Sequence, residues 1–245
     1  MSLVMTHARF QFLETIRVPI AVVGTVFFPV AAMLFFVVPA VGDNPIAATL
    51  ATASMVTFAV STTCLFQYGI GVSEDRAQPW DPYVRTLPSG AWPRFAGRIL
   101  NGLAFLLLSF LPVVLVAAVA TDATTTPLRL FIAAGALLVG AVPFTLLGLA
   151  IGYALPAKAA LAVAQLLFFP LAFGGGLMSE PGRAPRWVEA ISPYLPTRGA
   201  GELMWASVGP WSPDRTAVFM LGVWTVVFAV LAAWAYRRDE GRRFT

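Results

Sequence analysis

Charged residues fall in clusters along this chain, and the six longest stretches between them are apolar: 18–42, 44–73, 99–121, 130–157, 159–179 and 216–236. Each is at least 21 residues long. Roughly 20 apolar residues, rising about 1.5 Å each, cross the ~30 Å hydrocarbon layer of a bilayer. The pattern therefore predicts an all-α polytopic membrane protein with six spans, at about 19–41, 46–72, 99–120, 130–155, 159–178 and 216–236. Residues 1–18 form a separate amphipathic segment, and 19–245 a single transmembrane domain. In the first segment Leu3, His7, Phe10, Leu13 and Ile16 recur at helical intervals, with Arg9, Glu14 and Arg17 elsewhere, so a short helix lying in the headgroup plane is expected before Pro19.

The spans differ in polarity. The second carries Ser54, Thr57, Ser61, Cys64 and Tyr68 at steps of three and four residues, which puts them on one helical face. Small hydroxyl side chains on such a stripe either let helices pack closely or line a translocation path. Phe58, Phe66, Phe168, Phe169 and Phe173 present the same choice, as packing or lipid contact on one hand and the wall of an amphipathic path on the other. Gly42, Asp43, Asn44 and Pro45 read as a tight turn between the first two spans.

Composition narrows the class. Only 11% of residues are charged and 58% are hydrophobic, against about 25% charged in soluble domains. The net charge of +4 would suggest nucleic acid in a soluble protein. Here the cations sit at helix ends and fit anionic lipid, so no nucleic-acid partner is expected. With the N-terminus inside, the inner segments hold Arg9, Arg17, Arg76, Arg85, Arg94, Arg98, Lys158, Arg237, Arg238, Arg242 and Arg243. The outer ones hold Arg129, Arg183, Arg186, Arg198 and Arg215. The excess of inner cations places both termini in the cytoplasm of a cell-membrane protein. The first apolar run is too long for a signal-peptide core of 7–15 residues, so it reads as a retained span.

Candidate chemistry is sparse. Cys64 is the single cysteine and His7 the single histidine, which excludes an intrachain disulfide and leaves metal clusters and Cys/His or Ser/His nucleophiles without parts. No metal site and no catalytic residue are expected. The six runs contain no ionisable Asp, Glu, Lys, Arg or His. Proton-coupled transporters usually keep such a group in the membrane, so energy must enter from outside the spans.

The longest inner segment between spans, 74–97, contains Glu74, Asp75 and Arg76, then Pro79, Trp80, Asp81, Pro82, Tyr83, Val84, Arg85, Thr86, Leu87 and Pro88. Asp81 before Pro82 signals a helix start, and Pro88 ends that helix after barely two turns. Tyr83, Val84 and Leu87 would give it an apolar knob. The alternative is a loop whose aromatics Trp80, Tyr83 and Trp92 rest among headgroups.

These residues resemble the membrane subunit of type-2 ATP-binding-cassette exporters. That family's second-to-third loop opens with an acidic and arginine-rich patch, carries a short coupling helix, runs through a Leu-Pro step and re-enters the membrane after a Gly-Arg pair. The matching positions are Glu74, Asp75 and Arg76, then Leu87, Pro88 and Ser89, then Gly97 and Arg98. Pro79 and Pro82 depart from the family's more continuous helix. A second similarity lies between the last two spans, where Gly174, Gly175 and Gly176 precede 185–190, a break at Ser192, Pro193, Tyr194, Leu195 and Pro196, and a further stretch at 197–208. The resemblance implies short outer or re-entrant helices there.

The resemblance further implies a permease that exports a hydrophobic or amphipathic substrate, such as a drug or lipid, and pairs with a second copy or a related permease. Two copies of a separate cassette ATPase would bind ATP and magnesium, since this chain has no G-x-x-x-x-G-K-[ST] loop and no cofactor of its own. Glu74, Asp75, Arg76, Asp81, Tyr83, Val84, Arg85 and Leu87 would couple to that ATPase. Ser54, Thr57, Ser61, Tyr68, Phe168, Phe169 and Phe173 are the candidate path. The rival readings are a membrane-embedded enzyme, for which only Glu74, Asp75 and Asp81 cluster, and an accessory membrane protein without transport.

Overall fold

A computed structural model describes residues 3–17, 19–79, 92–179 and 182–242, and among these there is helix and connecting loop but no strand. In chain order the elements are α1 (Leu3–Ile16), α2 (Pro19–Ala32), a π-helical turn (Met33–Val37), α3 (Val38–Val41), α4 (Pro45–Ala77), α5 (Trp92–Ala120), α6 (Pro127–Ala154) and α7 (Ala157–Gly174). They are followed by α8 (Arg186–Ile191), a 3-10 turn (Ser192–Tyr194), α9 (Pro196–Val208) and α10 (Arg215–Arg242).

Among the described residues five helices are long and apolar enough to cross a membrane: α4, α5 from Ile99 onward, α6, α7 and α10. The first apolar run contributes a shorter apolar helix, Val26–Val41. Within it Pro39 has no N–H to give the carbonyl one turn back, and the backbone widens into the π turn in the residues just before it. The all-α polytopic class is thus met, with five full-length apolar helices and this shorter one where six spans were expected.

The helix starts follow local chemistry. Asn44 caps α4 by accepting from the Ala47 N–H at 3.1 Å, with Pro45 at the first position. Thr126 caps α6 in the same way, through the Arg129 N–H. The carboxylate of Asp214 accepts from the Ala217 N–H at 2.8 Å at the start of α10. The turn expected at residues 42–45 is present, and it is pinned to the α5–α6 connection by Asp122 N–H donating to the Gly42 carbonyl at 2.8 Å.

α4 is the axis of the bundle. Of its most apolar stretch 78% is buried, against between 22% and 33% for the other four long helices. It packs on α5, α6, α7 and α9, and its closest neighbour is α6. A Cβ added at Gly148 would lie 2.8 Å from the Cys64 carbonyl oxygen, and one at Gly152 would lie 2.6 Å from that of Tyr68. Two glycines four residues apart on α6 therefore let the two backbones touch, the small-residue contact by which membrane helices associate.

α1 packs along α5. Phe12 meets Phe105 with ring centroids 5.6 Å apart, while Phe10, on the stripe expected to be apolar, is exposed. The apolar stripe was drawn for a bilayer surface, whereas Phe12 makes its ring contact with a neighbouring helix.

Between α7 and α10 the chain follows the expected order of glycine turn, short helix, break and further helix. Gly176, at φ +77°, makes the reversal after α7. α9 then runs into the bundle, with all but two of its residues buried against α4, α6 and α10.

Candidate functional site

The predicted coupling residues divide by position. Glu74 is exposed and Asp75 half-buried at the last turn of α4. Asp81, Tyr83, Val84, Arg85 and Leu87 lie outside the described residues, as does the short helix expected at 81–87. Arg76 is the residue the fold uses most visibly. Its Nη1 donates to the Gly152 carbonyl at 2.6 Å and to that of Leu155 at 3.3 Å, and its Nη2 pairs with the Asp239 carboxylate on α10. Carbonyls at a helix C-terminus lack intrahelical donors and carry the negative end of the helix dipole, so a guanidinium is well matched to them. The Arg76 guanidinium also stands 6.0 Å from the ring centroid of Tyr153, which meets Tyr236 edge-on at 5.1 Å. One arginine thereby ties the ends of α4, α6 and α10 beside the point where the 80–91 connection leaves.

At the opposite end a second polar cluster forms on α9. Arg198 Nε donates to Glu202 at 2.8 Å, one helical turn apart. The other Glu202 oxygen accepts from the Trp211 indole N–H and from the Asp214 backbone N–H at 3.1 Å. Arg198 also faces Glu189 of α8 at 3.9 Å and stacks over Trp205 at 5.0 Å. Trp205 in turn donates to Ser54 on α4 at 2.9 Å. Four segments, α4, α8, α9 and the start of α10, are joined through this cluster. An interior free of ionisable groups was expected because the spans were delimited as uncharged runs, a definition that removes any charged pair from view. Arg198 and Glu202 lie in α9, outside those runs, and leave the expectation for the runs themselves untouched.

Between the two clusters lies the candidate path. The Thr57 and Ser61 hydroxyls donate to carbonyls of their own helix, those of Ala53 and Thr57, at 2.8 and 2.7 Å. Ser54 does the same to Leu50 while accepting from Trp205. Tyr68 lies with its hydroxyl against Gly102 of α5. Phe168 is buried, its ring tilted against Phe58 at 4.9 Å and edge-on to Phe66 at 6.0 Å, whereas Phe169 and Phe173 are exposed on α7. A hollow bordered by Ser61, Phe58, Phe168 and Thr197 measures about 10 Å³, roughly the space of one water. The structure thus places Ser54, Thr57, Ser61 and Phe168 in the interior, while Phe169, whose ring lies 4.8 Å from that of Phe168, and Phe173 are exposed.

Sequence reasoning missed Glu202, Trp211 and Asp239 and counted Arg198 only as an outer cation. The Arg-x-x-x-Glu spacing within 197–208, a stretch expected to be helical, was the usable signal for the first pair. Asp239 had none, since it sits among four arginines near the chain end and its partner is distant in sequence.

A protein of Bacillus subtilis (strain 168) named "Putative transport permease YvfS" is 25% identical over 187 residues, covering 76% of this chain and 76% of its own. Residues 2–208, from α1 through α9, match the family described as ABC-2 type transporter. With a multi-pass helical bundle and a match over most of its length, the chain belongs to the ABC-2 type transporter family of membrane permeases.

Proposed function

We propose that this permease subunit forms the transmembrane path of an exporter for hydrophobic or amphipathic compounds. It is driven by a separate cassette ATPase that brings ATP and magnesium. The family match over residues 2–208 carries the transport reading, and the absence of a phosphate-binding loop in the sequence points to an engine on another chain. Six crossings with both termini inside follow from the cation distribution and put the Arg76 end in the cytoplasm, where the 74–98 loop meets the ATPase. Asp81, Tyr83, Val84, Arg85 and Leu87 form the docking turn, with Glu74, Asp75 and Arg76 at its root. Phe169 and Phe173, exposed on α7, face lipid or a second permease copy.

The test is reconstitution in lipid vesicles. The purified chain alone should show no magnesium-dependent ATP hydrolysis, and its cognate ATPase should copurify with it and be stimulated by it. Hydrolysis by the chain alone at a transporter-like rate, free of any partner, would contradict the assignment.

A further inference from the structure

The two charged clusters stand at opposite ends of the bundle, and one continuous helix, α10, touches both. At one end Asp239 pairs with Arg76. At the other, the backbone N–H of Asp214, the residue capping α10, donates to Glu202 of α9. α10 has 28 residues, so at a rise of about 1.5 Å per residue it spans roughly 42 Å without a break. It contains no proline, and α9 lies against it so closely that a Cβ on Gly199 would come 2.4 Å from the Ala217 carbonyl oxygen.

We infer that Asp239 is a positioning residue through which movement of the 74–98 loop is passed to α10 and, by its far end, to α9. The inference rests on the proposal that this loop meets an ATPase. Arg76 is four residues ahead of the 80–91 connection, so any displacement of the loop root acts on it first. Its guanidinium is planar and holds two partners on different sides, the α6 carbonyls through Nη1 and Asp239 through Nη2. A fork of this kind transmits orientation as well as position, which a single point charge does not. Tyr236, one turn before Asp239, adds a second link by meeting Tyr153 edge-on and bonding to Glu240 at 2.6 Å. The loop root, the end of α6 and the end of α10 are thus one unit. α10 is an unbroken helix, and the Asp214 N–H at its other end donates to the Glu202 carboxylate that also holds Arg198.

The experiment uses the whole complex, permease with its cognate ATPase, in lipid nanodiscs. Spin labels at Asp43→Cys and Ser212→Cys, both exposed positions at the Glu202 end, report the far side. Their distance is measured without nucleotide and after trapping with magnesium, ATP and vanadate. The distance should shift on trapping in the otherwise native chain. In Asp239→Asn at least half of that shift should be lost while the ATPase remains bound, and Asp239→Glu should restore it. Arg76→Lys keeps the charge but not the two-sided fork, and it should give an intermediate shift. A merely structural role would alter the nucleotide-free distance and leave the size of the shift alone. A full shift in Asp239→Asn, or no shift in the native chain with the ATPase bound, overturns the role of Asp239. A native chain that captures no ATPase overturns the functional reading on which it depends.

Discussion

The two ends of this bundle hold their charges in different ways. At the α9 end Glu202 is enclosed, with 1% of its side chain exposed, and it accepts from an arginine, an indole and a backbone amide. At the other end Arg76 keeps 20% of its side chain exposed and shares itself between one carboxylate and two helix-terminal carbonyls. Burying a carboxylate is tolerated only when every lone pair finds a donor, so the Glu202 cluster is an all-or-nothing arrangement that fixes α9. In the Arg76 cluster the carboxylate of Asp239 is also buried, at 5% exposed, but the guanidinium reaches the surface and has three acceptors. It divides its contacts between α6, through two carbonyls, and α10, through Asp239. A rigid cluster suits the wall of a path, and a divisible one suits a joint.

The comparison can be sharpened first by locating the ends. Thr125→Cys, beside the α9 end, should react with an impermeant thiol reagent from outside intact cells, and Ser89→Cys, in the chain segment that joins α4 to α5, should not. Native Cys64 is buried and gives little background. Outside labelling at Ser89→Cys would reverse the orientation.

Energetics should separate the ends next. Glu202→Ala leaves Arg198, the Trp211 indole and the Asp214 amide without their acceptor, and breaking a buried pair in this way costs about 3–5 kcal/mol. The expected result is a large loss of thermal stability in detergent or failure to accumulate. Asp239→Ala also breaks a pair with a buried carboxylate, but it should cost less, because Arg76 is 20% exposed and keeps the Gly152 and Leu155 carbonyls. Equal losses at both ends would remove the distinction.

Between these lies the backbone contact of α4 with α6. Gly152→Leu must push the helices apart, since even its Cβ would sit 2.6 Å from the Tyr68 carbonyl oxygen. Overpacking of this kind costs about 1–3 kcal/mol, read as a lower unfolding midpoint. An unchanged midpoint would mean that α4 and α6 are not held as described.

Much of this architecture was legible in the sequence because it follows from long-period patterns. The apolar runs located α4 to α7 and α10, and the residue types at 174–176, 185–190 and 192–196 gave the order of turn, short helix and break. What stayed hidden depends on three-dimensional pairing. Asp239 and Arg76 are separated by 163 residues, and nothing local marks either as a partner of the other. Pro29 and Pro39 are visible in the sequence, yet the π turn between them depends on how the backbone redistributes its hydrogen bonds. The spacing of Ser54, Thr57 and Ser61 sets them on one helical face, within a stretch of α4 that is buried on every side from Ala53 to Ser61. Their hydroxyls are occupied by their own helix, which periodicity cannot reveal.

The central claim is that an ATPase works this permease through the 74–98 loop, and the most direct measurement is capture of that ATPase by a loop variant. In the double variant Tyr83→Ala, Leu87→Ala, each lost apolar anchor should cost about 2 kcal/mol, roughly thirtyfold in affinity. Copurification of the ATPase and its stimulation should therefore both disappear while the chain still inserts in the membrane. Arg85→Ala should weaken both less, as a rim charge contributes under about 1 kcal/mol. Full copurification and full stimulation in the double variant would contradict the account.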